Sequence, residues 1–246
     1  MATGLMGPRV ASTGAGFRRL AGALLALYAL TALAPANSQA PAARPAVTGP
    51  AEHGPQRPPL FFKEEWKQGP EGGEHPVTAA SLANPNLELT LVAPAGQIEL
   101  TGSAGDENNP THVWLGLCTA PCGLALRNRQ SLADLTGLAR IHWTTKMSGY
   151  HQIRPIVKLA DGTWLVGDFA DGSTRDWRVS EISIADLHWL KLDVTRAVST
   201  GTTVEHPDLS KVDQIGFVDL MPGSGHGPGG WSDVGQIEVY AKPVSR

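Results

Sequence analysis

Short apolar or alternating segments, separated by turn residues, dominate the chain from residue 60 onward. Few of them show the spacing of an amphipathic helix. Many short strands with frequent turns are typical of a β-sandwich or jelly roll, so the sequence predicts an all-β fold. Short helical turns are expected at Ser131–Leu138 and Asp193–Val198. The predicted strands are Leu87–Val92, Gln97–Thr101, Val113–Cys118, Leu124–Arg127, Arg140–Lys146, Gln152–Leu159, Trp164–Phe169, Trp189–Leu192, Ile215–Leu220 and Gln236–Tyr240.

The first forty residues have the order of a secretory signal peptide. Three arginines precede an apolar run from Leu20 to Leu33, and the small-residue sequence Ser38-Gln39-Ala40 follows it. The run is shorter than the ~20 residues that a membrane-spanning helix needs. We therefore expect cleavage after residue 40 and a secreted or periplasmic mature protein with no transmembrane segment. Retention of the segment as an N-terminal anchor is the alternative.

The expected mature chain is acidic, because the signal segment removes three arginines and no acidic residue from a chain of net charge −3. Such a protein is a poor candidate for nucleic-acid binding, which depends on basic patches. Residues 41–59 are rich in proline and lack large apolar clusters, which predicts a flexible linker. Residues 60–246 contain no further linker and are expected to form a single β-sandwich domain.

The chain contains two cysteines, Cys118 and Cys122, in the sequence CTAPC. In an oxidising compartment we expect this pair to form a disulfide. Closing so short a loop contributes only ~2 kcal/mol in the chain-entropy treatment, so the bond would mainly hold a turn. A redox motif would more usually be CxxC, and a metal site would need more cysteines.

A β-hairpin is the clearest local element, and its turn contains Asp161-Gly162. Such a dipeptide favours a two-residue type I′ turn, in which both central positions have positive φ. The register that follows pairs Leu159 with Trp164 and Val157 with Val166. Alternation then divides the hairpin into a core face with Ile153, Val157, Leu159, Trp164 and Val166 and an opposite face with Gln152, Arg154, Ile156, Lys158, Leu165 and Phe169. A face that mixes hydrogen-bond donors with large side chains is what a sugar-binding sheet would present.

Two further predicted strands, within Asp208–Pro243, flank a loop that holds five glycines. The chemical groups of this loop are His226, Trp231 and Asp233. Glycine allows a backbone to approach a ligand closely, although a rigid turn without a ligand has the same composition. We expect this loop to lie at the rim of the sandwich.

Three stretches in the second half of the chain share an order of strands and loops: DLTGLARIHWTTKMSGYHQIRPIVKL, RDWRVSEISIADLHWLKLDV and KVDQIGFVDLMPGSGHGPGGWSDVGQIEVY. This order resembles that of CIA30 proteins and family 11 carbohydrate-binding modules, which are galactose-binding-like jelly rolls. The resemblance covers roughly residues 134–240 and rests on apolar spacing rather than on catalytic residues. It implies a jelly-roll fold and a carbohydrate or polysaccharide partner. A family of exported bacterial proteins that shares only this fold is the alternative.

Seven tryptophans stand out against three tyrosines and five phenylalanines. Exposed indoles stack on sugar rings and bury a large area. Trp114 and Trp231 adjoin polar or glycine-rich loops and are the candidate stacking platforms, with Arg154, His226 and Asp233 as hydrogen-bonding partners of the ligand. The tryptophans in strand-like segments are expected in the core: Trp143, Trp164, Trp177 and Trp189.

The sequence contains candidate ligands for two kinds of metal site. Galactose-binding-like folds often carry a structural calcium, and calcium prefers carboxylate and carbonyl oxygens. The resemblance therefore implies Asp106, Asp219 and Asp233 as candidate ligands, and we expect no other cofactor. A transition-metal site would need its histidines to converge. The histidines considered for it are His112, His151 and His226.

No catalytic motif marks the chain, which has no G-x-S-x-G elbow, no H-E-x-x-H and no phosphate loop. A glycoside hydrolase would need two carboxylates, and any of Glu181, Asp168, Asp176 and Asp219 could serve. A polysaccharide lyase could use Tyr150, His151 and Arg154, although alternation along a strand points the last two to opposite faces. We therefore predict an exported, non-catalytic carbohydrate-binding protein, with a polysaccharide-active enzyme or an envelope structural or assembly protein as the alternatives.

Overall fold

The structure is a computed structural model, and it describes residues 56–69, 72–92, 97–223 and 230–246. These residues belong to one compact unit, Ala51–Arg246. The expected signal segment, most of the expected linker and His226 lie outside the described residues. Within the described part, no helix is long and apolar enough to cross a membrane.

The first of two antiparallel sheets has seven strands. Its strands, numbered in chain order with those of the second sheet, are β1 (Leu60–Glu64), β2 (His75–Pro76), β4 (Glu99–Thr101), β5 (His112–Trp114), β8 (Arg140–Met147), β11 (Arg178–Ser183) and β15 (Ser232–Tyr240). The order is β11-β8-β15-β5-β4-β2, and β1 also pairs with β15. β8 pairs along its length with β11 and β15.

The second sheet has nine strands: β3 (Leu87–Val92), β6 (Cys122–Asn128), β7 (Leu132–Asp134), β9 (Ile153–Leu159), β10 (Trp164–Gly167), β12 (Trp189–Asp193), β13 (Val198–Val204), β14 (Val212–Asp219) and β16 (Lys242–Val244). The order is β13-β12-β10-β9-β14-β6-β3, with β7 pairing with β14 and β16. The all-β prediction is confirmed. Short 3₁₀ turns occur at Ala79–Ser81 and Ile184–Asp186.

The expected helical turn at Ser131–Leu138 is wrong, because β7 (Leu132–Asp134) occupies its first half. Ala133 of β7 pairs with both Val212 and Pro243, so the segment is held as a strand between two neighbours. The expected turn at Asp193–Val198 does join two strands, and the Arg196 N–H donates to the Asp193 carbonyl at 3.4 Å.

The main core lies between the facing sides of the sheets. Its largest fully buried side chains include Trp143 of β8 and Phe217 of β14. Trp66 packs edge-on against Phe217, with 6.5 Å between ring centroids, and its indole N–H donates to the Val234 carbonyl at 2.9 Å. Aromatic side chains therefore connect the two sheets.

The hairpin turn contains Asp161-Gly162 as predicted, but the predicted register is wrong by one residue. Lys158 pairs with Trp164, and Val157 pairs with Leu165. The loop has three residues rather than two, since the Leu159 N–H donates to the Thr163 carbonyl at 2.8 Å. Gly162 takes the positive φ of 91° that such a loop needs.

A one-residue slip moves every side chain of a strand to the other face. Leu165 therefore joins the main core, whereas Trp164 and Val166 lie on the outer face of the nine-stranded sheet with Ile156. Ile156 and Val166 are fully buried there, in a second apolar cluster that includes Leu192. The large apolar side chains expected to meet a sugar, Ile156 and Leu165, are thus buried, while Arg154 and Lys158 are half-buried.

The predicted disulfide is present between Cys118 and Cys122, and both residues are fully buried. Cys122 begins β6 and pairs with Asp219 at the end of β14. The Gly223 N–H donates to the Cys118 carbonyl at 2.6 Å. The disulfide turn is therefore attached to the start of the glycine-rich loop.

We predict that Gly216→Ala destabilises the protein. A Cβ at this position would overlap the Leu124 carbonyl and the Cα of Ala125 on the adjacent strand β6. Overpacking of this kind costs about 1–3 kcal/mol in free energy of unfolding, which chemical denaturation would measure. Gly172→Ala is the control, because its Cβ would meet no atom within 4 Å. Equal stability of the two variants would contradict the described pairing of β6 with β14.

Candidate functional site

A polar cleft of about 350 Å³ lies on the outer face of the seven-stranded sheet, around β5, β8 and β15. Its sheet residues are Thr101 of β4, His112 and Trp114 of β5, Lys146 of β8 and Asp233 of β15. Trp231, Glu74 and Asn109 complete the lining. The cleft thus combines indole rings with groups of both charges.

Strand pairing places these side chains in one row. Asp233 pairs with Trp114 on one side and with Lys146 on the other. Side chains alternate across a strand, so the neighbours of Asp233 point inward. Val234, the next residue, is fully buried in the main core. Asp233, Trp114 and Lys146 therefore share the outer face.

Asp233 is 5% exposed, although it lines the cleft. Its Oδ2 accepts a hydrogen bond from the indole Nε1–H of Trp231 at 3.0 Å. Its Oδ1 has no hydrogen-bond partner among the described residues. Burial raises the pKa of Asp233 to about 7, although the Trp231 hydrogen bond and the charge of Lys146 oppose this shift. Only one of the two carboxyl oxygens therefore has a hydrogen-bond partner among the described residues.

His112 faces the free oxygen of Asp233. Its Nδ1 lies 2.7 Å from the Pro110 carbonyl, which can only accept a hydrogen bond. Nδ1 therefore carries the proton, and Nε2 of the neutral ring is an acceptor. Nε2 lies 3.6 Å from Asp233 Oδ1. Burial lowers the pKa of His112, which favours this neutral form.

The two predicted platform tryptophans differ in exposure. Trp231 is half-buried and offers part of its indole to the cleft. Trp114 is only 6% exposed, and a Cβ at Gly116 would overlap its ring. Trp114 therefore forms the floor beneath the cleft, while Trp231 is the indole that a ligand can reach.

Trp177 was expected in the core, and this is wrong. It is half-buried on the outer face, with its ring centroid 5.1 Å from that of His112. Its Nε1–H donates to the Asn108 carbonyl at 3.3 Å. Gly235 leaves room for the ring, because an added Cβ would lie 3.3 Å from it. Trp143 and Trp189 are core residues as predicted, and Trp164 packs partly buried in the outer apolar cluster.

The structure does not bring Arg154 to the cleft. Arg154 lies on β9 in the other sheet, where it pairs with Val218. Its guanidinium lies 3.5 Å from the Asp168 carbonyl. Of the predicted ligand-binding residues, Trp114, Trp231 and Asp233 meet at one site.

The calcium candidates lie in three different settings. Asp106 Oδ1 accepts from the backbone N–H groups of Asn108 and Asn109 in an exposed loop. Asp219 is buried in a hydrogen-bonded cluster, and Asp233 lines the cleft. Across the described ranges, no three histidine, cysteine, aspartate or glutamate side chains are grouped to hold a metal ion. Calcium binding stays a prediction.

A buried hydrogen-bonded cluster around Asp219 holds the start of β15, the strand that carries Asp233. Asp219 Oδ2 lies 2.6 Å from His151 Nδ1 and accepts a hydrogen bond from the Ser232 hydroxyl. Asp219 ends β14 and Ser232 begins β15, so the cluster joins the two ends of the glycine-rich loop. Trp231 and Asp233 flank Ser232 and are positioned by the same contacts.

The sequence interpretation did not single out Lys146 or Glu74. A signal for Lys146 was present in the sequence RIHWTTKM, where polar residues mostly alternate with large apolar ones, and in the structure β8 alternates strictly between half-buried and buried residues. Its half-buried members are Arg140, His142, Thr144 and Lys146, which mark the outer face. Glu74 lies in a loop, and no pattern in the sequence identifies it.

No protein-family model matches this chain, and no curated protein matches it. Among solved structures, it is similar to a family 11 carbohydrate-binding module from Clostridium thermocellum in complex with a β-1,3-1,4-mixed-linked tetrasaccharide. That match has 13% identity, covers 70% of this chain and 98% of the module, and has a TM-score of 0.40.

Two further solved structures illustrate the range. An exo-β-agarase matches at 13% identity over 66% of this chain and 24% of its own, with a TM-score of 0.38. The K1 cleaved adhesin domain of Lys-gingipain from Porphyromonas gingivalis matches at 12% identity over 70% and 99%, with a TM-score of 0.33. Family 11 modules are thus among the structural neighbours, but likeness at this level says nothing about the ligand of this chain.

We predict that Asp233 makes stability depend on pH. Its pKa is raised from 3.8 to about 7, so the folded state holds a proton that the unfolded state releases between these values. The contribution of Asp233 to the free energy of unfolding should therefore fall as pH rises from about 4 to about 7, by at most about 1.4 kcal/mol per pH unit. Denaturation at several pH values would measure the slope.

Asp233→Asn should flatten that slope, because an amide does not titrate in this range. Asp161→Asn is a matched control in an exposed turn, where an Asn oxygen can still accept from the Thr163 N–H. A slope that is unchanged in Asp233→Asn would show that Asp233 is not the titrating group.

Proposed function

We propose that this protein binds carbohydrate in the cleft on the seven-stranded sheet and does so without catalysis. One observation carries the proposal: the half-buried indole of Trp231 lies beside a buried carboxyl oxygen that has no hydrogen-bond partner among the described residues. Sugar recognition needs an aromatic face for the C–H surface of a ring and fixed polar groups for its hydroxyls. Both are present within one cleft.

The other lining groups suit the same ligand. Lys146 supplies donors, while Glu74, Asn109 and Thr101 supply acceptors at the margin. The rigid sheet beneath them would hold the polar groups in place before a ligand arrives, which reduces the entropic cost of binding. The signal-like N-terminus suggests that binding takes place in the periplasm or outside the cell.

We predict that Trp231→Ala weakens binding by about tenfold or more to any polysaccharide that slows the parent protein in a gel, because the substitution removes the indole that a ligand can reach. Affinity electrophoresis on gels that contain neutral glucans, galactans, mannans or xylans would measure the loss. The variant also removes the hydrogen bond to Asp233, so Trp231→Phe separates ring stacking from that bond.

Trp164→Ala is the control for this experiment, since Trp164 is a half-buried tryptophan on the outer face of the other sheet. It should leave retention unchanged, with thermal unfolding confirming that each variant is folded. The proposal fails if the parent is retained by no polysaccharide, or if Trp231→Ala migrates like the parent.

A hydrolase that uses the same cleft is the second candidate. A general acid works best with a pKa near the working pH, and burial places the pKa of Asp233 at about 7. Glu74 is a second carboxylate in the lining. Release of new reducing ends from the same polysaccharides, abolished by Asp233→Asn, would favour this candidate over simple binding.

The lyase candidate has less support. His151 is buried and hydrogen-bonded to Asp219, and Tyr150 is 85% exposed. Neither residue lines the cleft. These positions do not assemble Tyr150, His151 and Arg154 into one site.

A further inference from the structure

Asp233 differs from the other buried carboxylates of the described chain. Those carboxylates belong to Glu64, Asp171 and Asp219, and each has hydrogen-bond partners on both oxygens. Glu64, for example, accepts from the backbone N–H groups of Trp66, Ala83 and Asn84. Asp233 has a partner on Oδ2 alone. Since an unpaired buried polar atom is costly, its retention on the floor of a cleft points to a ligand.

The group opposite Asp233 Oδ1 cannot donate a hydrogen bond to the ionised carboxylate. His112 Nδ1 donates to the Pro110 carbonyl, so Nε2 presents a lone pair toward Oδ1 across 3.6 Å. Two acceptors that face each other form no hydrogen bond with one another, so each can accept from a donor on a ligand. A hydroxyl has one donor and can bond to either acceptor, and two hydroxyls on adjacent carbons can bond to both.

The same arrangement disfavours an anionic ligand. A carboxylate or sulfate on the cleft floor would meet the Asp233 carboxyl and the Nε2 lone pair, and Glu74 adds a negative charge to the lining. Lys146 is the cation of the lining, and its charge acts on Asp233. Like charges brought together in a partly buried site repel strongly.

We infer that Asp233 Oδ1 and His112 Nε2 form an acceptor pair that selects a neutral saccharide through its hydroxyl donors and rejects acidic sugars. This inference rests on the proposed carbohydrate binding and names the class of sugar and the two atoms that recognise it. Asp233 is then a residue that determines which sugars bind, in addition to lining the cleft.

Ligand affinity should depend on pH in a defined direction. A hydroxyl donor bonds more strongly to the ionised carboxylate, whereas the protonated Asp233 would direct its own O–H toward His112 Nε2. With a pKa of about 7 in the free protein, affinity rises as pH increases through neutrality. The charged or titratable groups around Asp233 are His112 on β5, Lys146 on β8 and Glu74 in the loop before β2.

The test compares the glucan, galactan or mannan that binds most strongly with the same polymer oxidised at C6 to a uronate. Isothermal titration calorimetry of the full chain should give a Kd at least about tenfold lower for the neutral polymer. For that polymer, the Kd should fall from about pH 5.5 to about pH 8.5. In Asp233→Asn, the Kd for the neutral polymer should be about tenfold higher than that of the parent at the upper pH and should no longer depend on pH.

Asp161→Asn is the matched control and should bind like the parent at every pH. If Trp231→Ala abolishes binding while Asp233→Asn keeps the affinity and pH profile of the parent, the acceptor pair is wrong and carbohydrate binding stands. Equal or tighter binding of the oxidised polymer would also overturn the pair. If the parent binds neither polymer nor any other polysaccharide of the panel, both proposals fail.

Discussion

Two consecutive strands, β14 and β15, lie inside different sheets, and the contact between their ends organises this structure. β14 lies between β9 and β6 in the nine-stranded sheet, and β15 lies next to β8 in the seven-stranded sheet. The end of β14 and the start of β15 meet in the buried cluster of Asp219, His151 and Ser232. Charge-assisted hydrogen bonds in a dry environment are strong, so this cluster fixes the separation of the sheets at the glycine-rich loop.

A β-bulge in β15 then decides which side chains reach the cleft. Val234 pairs with Thr145, but Gln236 pairs with Thr144, so Gly235 is an extra residue. Before the bulge Asp233 faces outward, and after it Gln236 and Glu238 do so, which would be impossible in a regular strand. Gly235 also makes room for Trp177, which packs on His112. The bulge thus directs the Asp233 carboxyl group outward and leaves space for the Trp177 ring beside His112.

Several elements could be predicted because they depend on local chemistry. The apolar segments located most strands, and the short Cys118–Cys122 spacing predicted the disulfide. The two loop-adjacent tryptophans, Trp114 and Trp231, line one cleft, and their role in binding stays a prediction. The hairpin register could not be predicted, because Asp161-Gly162 suits both two-residue and three-residue loops. Trp177 was misplaced because a strand-like flank does not reveal which face of a sheet a side chain joins.

The fold class, the disulfide and the residue types from which a sugar site could be made can be predicted from the sequence, since they follow from side-chain chemistry and short-range spacing. Which residues meet depends on the packing of the two sheets. Long-range pairing brought Trp114, Lys146 and Asp233 into one row, and left Arg154 on the other sheet. It also placed His112 opposite Asp233, and burial gave that carboxyl group its raised pKa. Contacts between distant segments and their exclusion of water have no signature in a single sequence, because both arise only when the sheets pack.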